Sequence, residues 1–246
     1  MRAARRISES GYYHVVVRGN GKQRLFENDE DRRFFLKLLR EYAHACEIDI
    51  IAWCLMDNHV HVILCDRTGR LSEAVGKMTM RYARWFNARS GHVGHVFQGR
   101  FKSSPIECDR YLLEAVRYVH DNPSKAGICD AEDYPWSSYH EYAGTPEYAK
   151  TEVVLDMLGG PEGFSEFCRE GPSAEYLFVE GVRIPDEDAG DVARRVLGDV
   201  GFSEVKSLSR EKRDELLRAL RASRLSVRQI ERLTGIGAKT ITRATT

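Results

Sequence analysis

Two histidines separated by a single valine, His59 and His61, stand in the run MDNHVHVILC and carry the strongest chemical signal of the chain. Side chains on an extended strand alternate between two faces, so both imidazoles leave the same face and aim two nitrogens at one point. The pattern is consistent with a metal site and also with two half-buried histidines bonded to the backbone. The residues that follow lack the further Asp and His of the H-x-H-x-D-H pattern, which argues against a binuclear zinc hydrolase.

A second pair, Tyr118 and Asn122, lies four residues apart in a stretch predicted to be helical. That spacing leaves the phenol and the carboxamide about 40° apart around the helix and about 6 Å apart along it. If Asn122 joins the histidines as a metal ligand, Tyr118 lies near the metal as a candidate nucleophile. Tyr118 also continues an apolar stripe with Tyr111 and Ala115, so the helix alone does not decide between a nucleophile and a core aromatic. His120 points about 160° away, so it is not expected to bind the metal, and a surface or capping role is left open.

The elements that would position these residues alternate in type. Apolar periodicity and turn residues predict the order β-α-β-β-α-β-α, and the strand with the histidines, apolar on both faces, is expected to be central. This order predicts an α+β fold, an antiparallel ferredoxin-like sheet with packed helices. The last helix is predicted to end at Asn122 because Pro123 cannot continue its hydrogen bonds. The predicted elements are a strand over 12–19, a helix over about 28–46, strands over 48–56 and 59–65, a helix over about 71–89, a strand within 91–107 and a helix from about 108 to 122.

The net charge of zero is the sum of three segments that differ in sign. Residues 1–125 hold 21 Lys and Arg against 15 Asp and Glu, residues 126–195 hold 5 against 16, and residues 196–246 hold 11 against 6. Two cationic ends are consistent with a polyanion such as nucleic acid as the partner, and ordinary surface charge explains so mild an excess as well.

Composition excludes several other classes. The six cysteines are scattered and form no C-x-x-C pair, so neither a disulfide scaffold nor a cysteine-rich zinc site is indicated. No run approaches the roughly 20 apolar residues that cross a bilayer, and the N-terminus lacks the apolar segment of a secretory signal. We expect a soluble, cytoplasmic protein with no membrane partner.

The chain is predicted to have three parts: a catalytic domain over 1–145, an acidic and mostly helical extension over 146–206, and a helical tail over 207–246. The tail resembles a helix-turn-helix, with positioning and recognition helices over 226–233 and 238–244. Lys239 and Arg243 would then face duplex DNA. A helical lid or a dimer contact is the alternative role for this tail.

Basic residues interleaved with aromatic ones predict contacts to single-stranded or hairpin DNA, because cations hold phosphates and aromatic faces stack unpaired bases. For the nearby aromatics Trp85 and Phe101 a core role is the preferred interpretation. The predicted DNA-binding residues are Arg2, Arg5, Arg6, Arg18, Lys22, Arg81, Arg84, Arg100 and Lys102, with Lys239 and Arg243 in the tail.

Several motifs in a fixed order carry a family resemblance. They are YHVVVRGN, DNHVHVIL, HVFQGRFKS, YLLEAVRYVHDNPSKAG and PWSSYHEYAG. From about Gly11 to Phe167 the chain resembles the IS200-type single-tyrosine transposases of the HUH superfamily, and more closely their REP-associated tyrosine transposase branch. The resemblance implies an enzyme that cuts and rejoins single-stranded DNA at repetitive extragenic palindromes through a 5′-phosphotyrosine.

The resemblance also assigns roles. His59 and His61 match the HUH histidines that bind the metal, Asn122 matches the polar ligand one turn after the tyrosine, and Tyr118 matches the catalytic nucleophile. Transposases outside this branch often have glutamine in place of Asn122. Such neutral ligands leave the full double charge of Mg²⁺ or Mn²⁺ to polarise a phosphate, and imidazole suits manganese somewhat better.

Two other functions remain open at this point. One is a non-catalytic nucleic-acid-binding regulator that retains the fold, and the other is a metal phosphodiesterase that uses water while Tyr118 is structural. The sequence leaves the oligomeric state open between a monomer and a homodimer. It also leaves open the DNA sequence recognised and whether the protein is mobile or serves its host.

Overall fold

A computed structural model of the chain describes residues 7–170, 186, 189–198, 200–223 and 225–245. The predicted DNA-binding residues Arg2, Arg5 and Arg6 lie outside the described residues. The chain divides into two compact units, residues 1–172 and 173–246. Each unit is described here by itself.

The first unit is built on a sheet of four antiparallel strands in the order β2-β3-β1-β4. This is the strand order of the split βαβ arrangement, so the predicted ferredoxin-like sheet is confirmed. β3, which carries His59 and His61, is an inner strand as predicted. The strands are β1 (Tyr12–Arg18), β2 (Ile48–Met56), β3 (His59–Asp66) and β4 (Lys102–Ile106).

Seven α-helices of the first unit lie within the described residues. They are α1 (Asp29–Ala45), α2 (Leu71–Ser90), α3 (Asp109–His120), α4 (Asn122–Lys125), α5 (Tyr139–Ala143), α6 (Glu152–Leu158) and α7 (Pro161–Arg169). α1 starts where Asn28 accepts a hydrogen bond from the main-chain N–H of Asp31 at 3.1 Å and Asp31 bonds back to the main chain of Asn28. Such a reciprocal cap satisfies N–H groups that the first helical turn leaves unpaired.

The two faces of the sheet have different partners. On β3, Val60 and Val62 join the hydrophobic core under α1 and α2, and on β1, Val15 and Val17 do the same. Because side chains alternate along a strand, His14, His59 and His61 lie on the opposite face. α3 packs against β2 and β3, and its Tyr118 ring lies beside His14 and His61.

The predicted end of the third helix was wrong. α3 ends at His120, and Asn122 begins the separate short helix α4, with Pro123 in its first turn. Proline is tolerated there because the first N–H groups of a helix have no intrahelical partner. Tyr118 and Asn122 therefore do not share one continuous helix, although they remain neighbours, as described below.

His120 has neither a surface nor a capping role. Its side chain is buried, its Nε2 lies 2.8 Å from the Ser138 hydroxyl, and the rings of Tyr139, Tyr142 and Phe164 surround it. The rotation angle correctly placed it away from Tyr118. The prediction failed on burial because residues 134–164 cover this side of α3, and their packing has no simple periodic signature.

The second unit is helical and has a core of its own. Its described helices are α8 (Ala189–Leu197), α9 (Arg210–Ala222), α10 (Val227–Thr234) and α11 (Ala238–Thr245). Ser226 and Gln229 form a reciprocal cap at the start of α10, and Gly235 ends it with a φ of 69°. Buried Leu217, Ile230 and Ile241 belong to one cluster, so the predicted helix, glycine turn and helix are confirmed. Among the described helices, none combines the length and apolarity required to span a bilayer.

Candidate active site

Three histidine side chains lie together near Tyr118 on the face of the sheet that α3 covers. The ring centroid of Tyr118 lies 5.6 Å from that of His61 and 5.7 Å from that of His14. His59 lies 5.0 Å from His61 between ring centroids. The predicted neighbourhood of the histidine pair and the tyrosine is therefore present in the fold.

His14, which the sequence analysis did not single out, bonds directly to His61. Its Nε2 lies 2.8 Å from Nδ1 of His61, and both side chains are buried. In the β1–β3 register His61 lies opposite Val16, so the contact is a diagonal one between adjacent inner strands. The available signal was weak: His14 is a polar residue that alternates with apolar Tyr13 and Val15 on an inner strand.

Burial keeps the three histidines neutral. Desolvation and, to a smaller extent, the nearby charge of Arg18 lower the pKa of His59 to about 4. Desolvation and the charge of Lys125 lower the pKa of His14 to about 3. The pKa of His61 lies well below its ordinary value, chiefly through desolvation. A neutral imidazole has a lone pair on one nitrogen, which is the form that binds a metal ion.

The side-chain amide of Asn58 determines which ring nitrogen of His59 carries the proton. Nδ1 of His59 lies 2.7 Å from Oδ1 of Asn58, and the amide nitrogen of Asn58 donates to the main-chain oxygen of Lys22 at 3.4 Å. Because the Asn58 oxygen can only accept, Nδ1 of His59 carries the proton. The lone pair of His59 is then on Nε2.

Asn122 is oriented by the main chain of α3. Its buried amide nitrogen donates to the main-chain oxygen of Tyr118 at 2.8 Å and faces that of Val119 at 3.4 Å. These contacts leave the side-chain carbonyl oxygen as the atom of Asn122 that could bind a cation. Asn122 therefore remains joined to Tyr118 even though α3 ends between them.

These donors fit a hard divalent cation with incomplete protein coordination. Nε2 of His59, the remaining nitrogen of His61 and the amide oxygen of Asn122 are all neutral. Within the part of the chain that the structure describes, no three His, Cys, Asp or Glu side chains group as a metal site. A cation held here would keep its charge and have coordination positions left for phosphate oxygens.

Lys125 is a second residue that the sequence analysis did not single out. Its ammonium lies 3.9 Å from the ring centroid of Tyr118, and 3.7 Å from the carboxylate of Asp121. A cation at this distance stabilises the electron-rich ring face. The spacing of seven residues from Tyr118, two helical turns, was the only signal.

Of the predicted DNA-binding residues, Arg18 is the one described beside the histidines. It lies opposite His59 in the β1–β3 register and its charge acts on His59. Arg81 and Arg84 are exposed on α2, which covers the other face of the sheet, and Arg81 is paired with Glu41. The remaining described members are exposed: Lys22, Arg100, Lys102, Lys239 and Arg243. Lys102 on β4 lies opposite Val16, which in turn lies opposite His61.

A basic ridge on α1 was missed. Arg33, Lys37 and Arg40 are exposed at helical spacing, so they form one row along the helix. The guanidinium of Arg33 lies 5.9 Å from the Trp136 ring centroid, and that of Arg40 lies 5.0 Å from the Tyr148 ring centroid. The sequence analysis did not include these three cations among the predicted DNA-binding residues.

Comparison with known proteins finds a family model that matches the part of the chain containing this site. Residues 7–122 match the family model described as "Transposase IS200 like". This part of the chain is similar to the IS200-like transposases. The match begins just before β1 and ends at Asn122, so it contains both histidines and Tyr118.

Two solved structures are similar to this chain. One is a REP-associated tyrosine transposase bound to a REP hairpin, with 20% identity, a TM-score of 0.49, and coverage of 58% of this chain and 85% of that one. The other is a transposase candidate from Deinococcus radiodurans, with 15% identity, a TM-score of 0.35, and coverage of 49% of this chain and 97% of that one. No curated protein matches the sequence.

Proposed function

We propose that the chain is a metal-dependent single-tyrosine DNA strand transferase of the REP-associated branch, which cleaves and rejoins single strands at palindromic hairpins. The observation that carries the proposal is the half-buried phenol of Tyr118, whose ring centroid lies 5.6 Å from that of His61. A phenol beside neutral imidazoles combines a nucleophile with metal ligands. The family match supports a transposase, and the finer assignment is our own.

Tyr118 would carry out a transesterification. Its phenolic oxygen bonds to the backbone phosphorus while the bond from phosphorus to the 3′ oxygen breaks, and the phenolic proton is balanced by the proton that the 3′ oxygen gains. The products are a 5′-phosphotyrosine and a free 3′-hydroxyl. Attack by a 3′-hydroxyl reverses the step and releases Tyr118, so rejoining needs no nucleotide cofactor.

The site would hold Mg²⁺ or Mn²⁺. The ligands would be the Nε2 atoms of His59 and His61 and the amide oxygen of Asn122. The cation, when bound, supplies charge that polarises the scissile phosphate and stabilises the leaving oxygen. The residues themselves orient the site: Asn58 fixes the ring of His59, and the main chain of Tyr118 fixes the amide of Asn122. Burial keeps both imidazoles uncharged at neutral pH.

Lys125 would assist the tyrosine. Its ammonium, 3.9 Å from the ring centroid, favours negative charge that develops on the phenolic oxygen. It also adds a positive charge where a phosphate must approach. Arg18, on the neighbouring strand, adds a second one.

Single-stranded or hairpin DNA is the proposed substrate, and exposed cations would hold its backbone. Sequence and structure together suggest two groups, the predicted residues and the α1 ridge. The predicted residues are Arg2, Arg5, Arg6, Arg18, Lys22, Arg81, Arg84, Arg100 and Lys102. Arg33 and Arg40 of the ridge lie over aromatic rings, which holds their guanidinium groups in place.

The second unit would contact duplex DNA. Lys239 and Arg243 are exposed on α11, the helix after the glycine turn, and fall on one side of it by their spacing. In a helix-turn-helix the second helix enters the major groove. The proposed location is the cytoplasm, and the proposed assembly is a monomer or a homodimer.

A trapping assay tests the proposal. Single-stranded DNA with a repeat-derived hairpin, incubated with the full chain and Mn²⁺, should yield a covalent protein–DNA adduct that survives denaturing electrophoresis. Tyr118→Phe should bind the same DNA and give no adduct, while Tyr111→Phe, an exposed tyrosine on the same helix, should behave as the unaltered protein.

Two results would contradict the proposal. An adduct that persists in Tyr118→Phe would remove Tyr118 as the nucleophile. DNA binding without cleavage in any divalent metal would favour a non-catalytic regulator. The buried bond between His14 and His61 is compatible with that alternative, since it would also serve a purely structural role.

A further inference from the structure

Either His14 or His61 can donate the proton of the hydrogen bond between them. The donor decides whether Nε2 of His61 has a lone pair that could bind a metal. Both residues are buried, and one proton lies between Nε2 of His14 and Nδ1 of His61 at a separation of 2.8 Å. If His14 donates, neutral His61 carries its proton on Nε2 and has no lone pair there. If His61 donates, its lone pair is on Nε2, as the lone pair of His59 is.

We infer that His14 is a positioning residue that accepts the Nδ1 proton of His61 and thereby keeps Nε2 of His61 available as a metal ligand. The metal part rests on the proposed function. In this arrangement Asn58 and His14 have the same task on neighbouring residues of one strand face: each accepts the Nδ1 proton of one histidine. Partners of this kind orient metal-binding histidines and fix their tautomers.

The fold explains why an imidazole performs this task. His14 and His61 lie on the two inner strands, so main-chain carbonyls there are engaged in strand pairing. A carboxylate acceptor would bury a negative charge at this position, whereas a neutral imidazole accepts without one. His14 also contacts Tyr118 edge-on, with ring centroids 5.7 Å apart. The residue therefore touches both the proposed ligand and the proposed nucleophile.

Two variants of the full chain separate the roles of His14. His14→Phe keeps a planar ring and removes the acceptor, whereas His14→Gln retains an oxygen acceptor at a similar reach. We expect the Mn²⁺ dissociation constant to rise about 10- to 100-fold in His14→Phe and to change only a few-fold in His14→Gln. Calorimetric titration of Mn²⁺ measures both without any reaction.

A matched control removes another buried histidine hydrogen bond. His120→Phe loses the contact of Nε2 with the Ser138 hydroxyl outside the proposed site. It should lower thermal stability while leaving Mn²⁺ affinity unchanged. Equal losses of Mn²⁺ affinity in His14→Phe and His120→Phe would overturn the inference, because they would indicate general destabilisation.

The proton position is measurable in the metal-free protein. Long-range ¹H–¹⁵N spectra of the imidazoles should show His61 protonated on Nδ1 and unprotonated on Nε2, and His14 unprotonated on Nε2. A proton on Nε2 of His61 would overturn the inference whatever the metal titration gives. Failure of the unaltered protein to bind Mn²⁺, together with the expected spectra, would contradict the proposed function and the ligand role while retaining the hydrogen-bond direction.

Discussion

Nζ of Lys125 lies 3.9 Å from the ring centroid of Tyr118, so a cation from α4 covers the face of a tyrosine from α3. The first prediction concerns this pair. Lys125→Gln should slow formation of the covalent adduct about tenfold, the equivalent of about 1.4 kcal/mol, because a positive charge next to the developing oxyanion is lost. Lys125→Arg, which keeps the charge, should retain most of the rate. Single-turnover cleavage measures this, and equal rates for the Gln variant and the unaltered protein would exclude the role.

The second prediction concerns the proposed metal ligands. His59→Ala, His61→Ala and Asn122→Ala should each weaken Mn²⁺ binding at least tenfold, since each removes a neutral donor from a site with few protein ligands. Exposed His95→Ala is the matched control and should bind Mn²⁺ as the unaltered protein does. Calorimetry or electron paramagnetic resonance gives the affinity. Unchanged binding in all three site variants would place the metal elsewhere.

The third prediction concerns acid sensitivity through His120. Desolvation lowers the pKa of His120 from 6.5 to about 3, so between these values the unfolded chain binds more protons at this residue than the folded one. Stability contributed by neutral His120 is therefore complete above pH 6.5 and is lost as pH falls toward 3. The slope is at most about 1.4 kcal/mol per pH unit.

Urea unfolding at pH values from about 6 to about 4, which lie between the two pKa values, measures this loss of stability. His120→Gln should have a shallower decline of the free energy of unfolding, while exposed His95→Gln should decline as the unaltered protein does. Parallel declines for the unaltered protein and His120→Gln would show that His120 does not titrate in this way.

The fourth prediction concerns the α1 ridge. Replacing Arg33, Lys37 and Arg40 by Gln together should weaken binding of hairpin DNA and lower the salt dependence of log K by about 2–3, since about 0.7–0.9 is lost per phosphate contact. Arg169→Gln, an exposed arginine on α7, should leave the salt dependence unchanged. Fluorescence anisotropy at several salt concentrations gives these slopes, and an unaltered slope in the triple variant would remove the ridge from the DNA interface.

The fifth prediction concerns the second unit. A chain ending at residue 172 should retain adduct formation on single-stranded hairpin DNA and lose affinity for duplex DNA, because the two compact units divide there. Lys239→Gln with Arg243→Gln should reproduce the loss of duplex affinity in the full chain. Retained duplex affinity in both proteins would contradict the helix-turn-helix role of α10 and α11.

Local patterns predicted most of the fold. The alternation of Val60 and Val62 with the two histidines predicted the inner strand and its two faces, and β1, β2, α1 and α2 have bounds within about two residues of the predicted ones. The end of α3 was missed because a proline tolerated in a first turn was read as a terminator.

The partners of the site were harder to predict because they come from other parts of the chain. His14 and His61 are 47 positions apart in the sequence, and only the strand order brings them together. Lys125 meets Tyr118 because the chain turns into α4 after Asp121. Periodicity describes which face of one element is buried, but it contains no information on which other element covers that face.

The amide nitrogen of Asn122 donates a hydrogen bond to the main-chain oxygen of Tyr118, whereas His59 and His61 lie on a strand of the sheet. The proposed nucleophile and amide ligand therefore lie on the successive helices α3 and α4, whereas the two imidazoles lie on β3. A shift of these two helices relative to the sheet would move the phenol and the amide away from the imidazoles together. Formation of the proposed site would therefore depend on how α3 and α4 pack against the sheet, so substitutions in that interface would affect it without touching a phosphate.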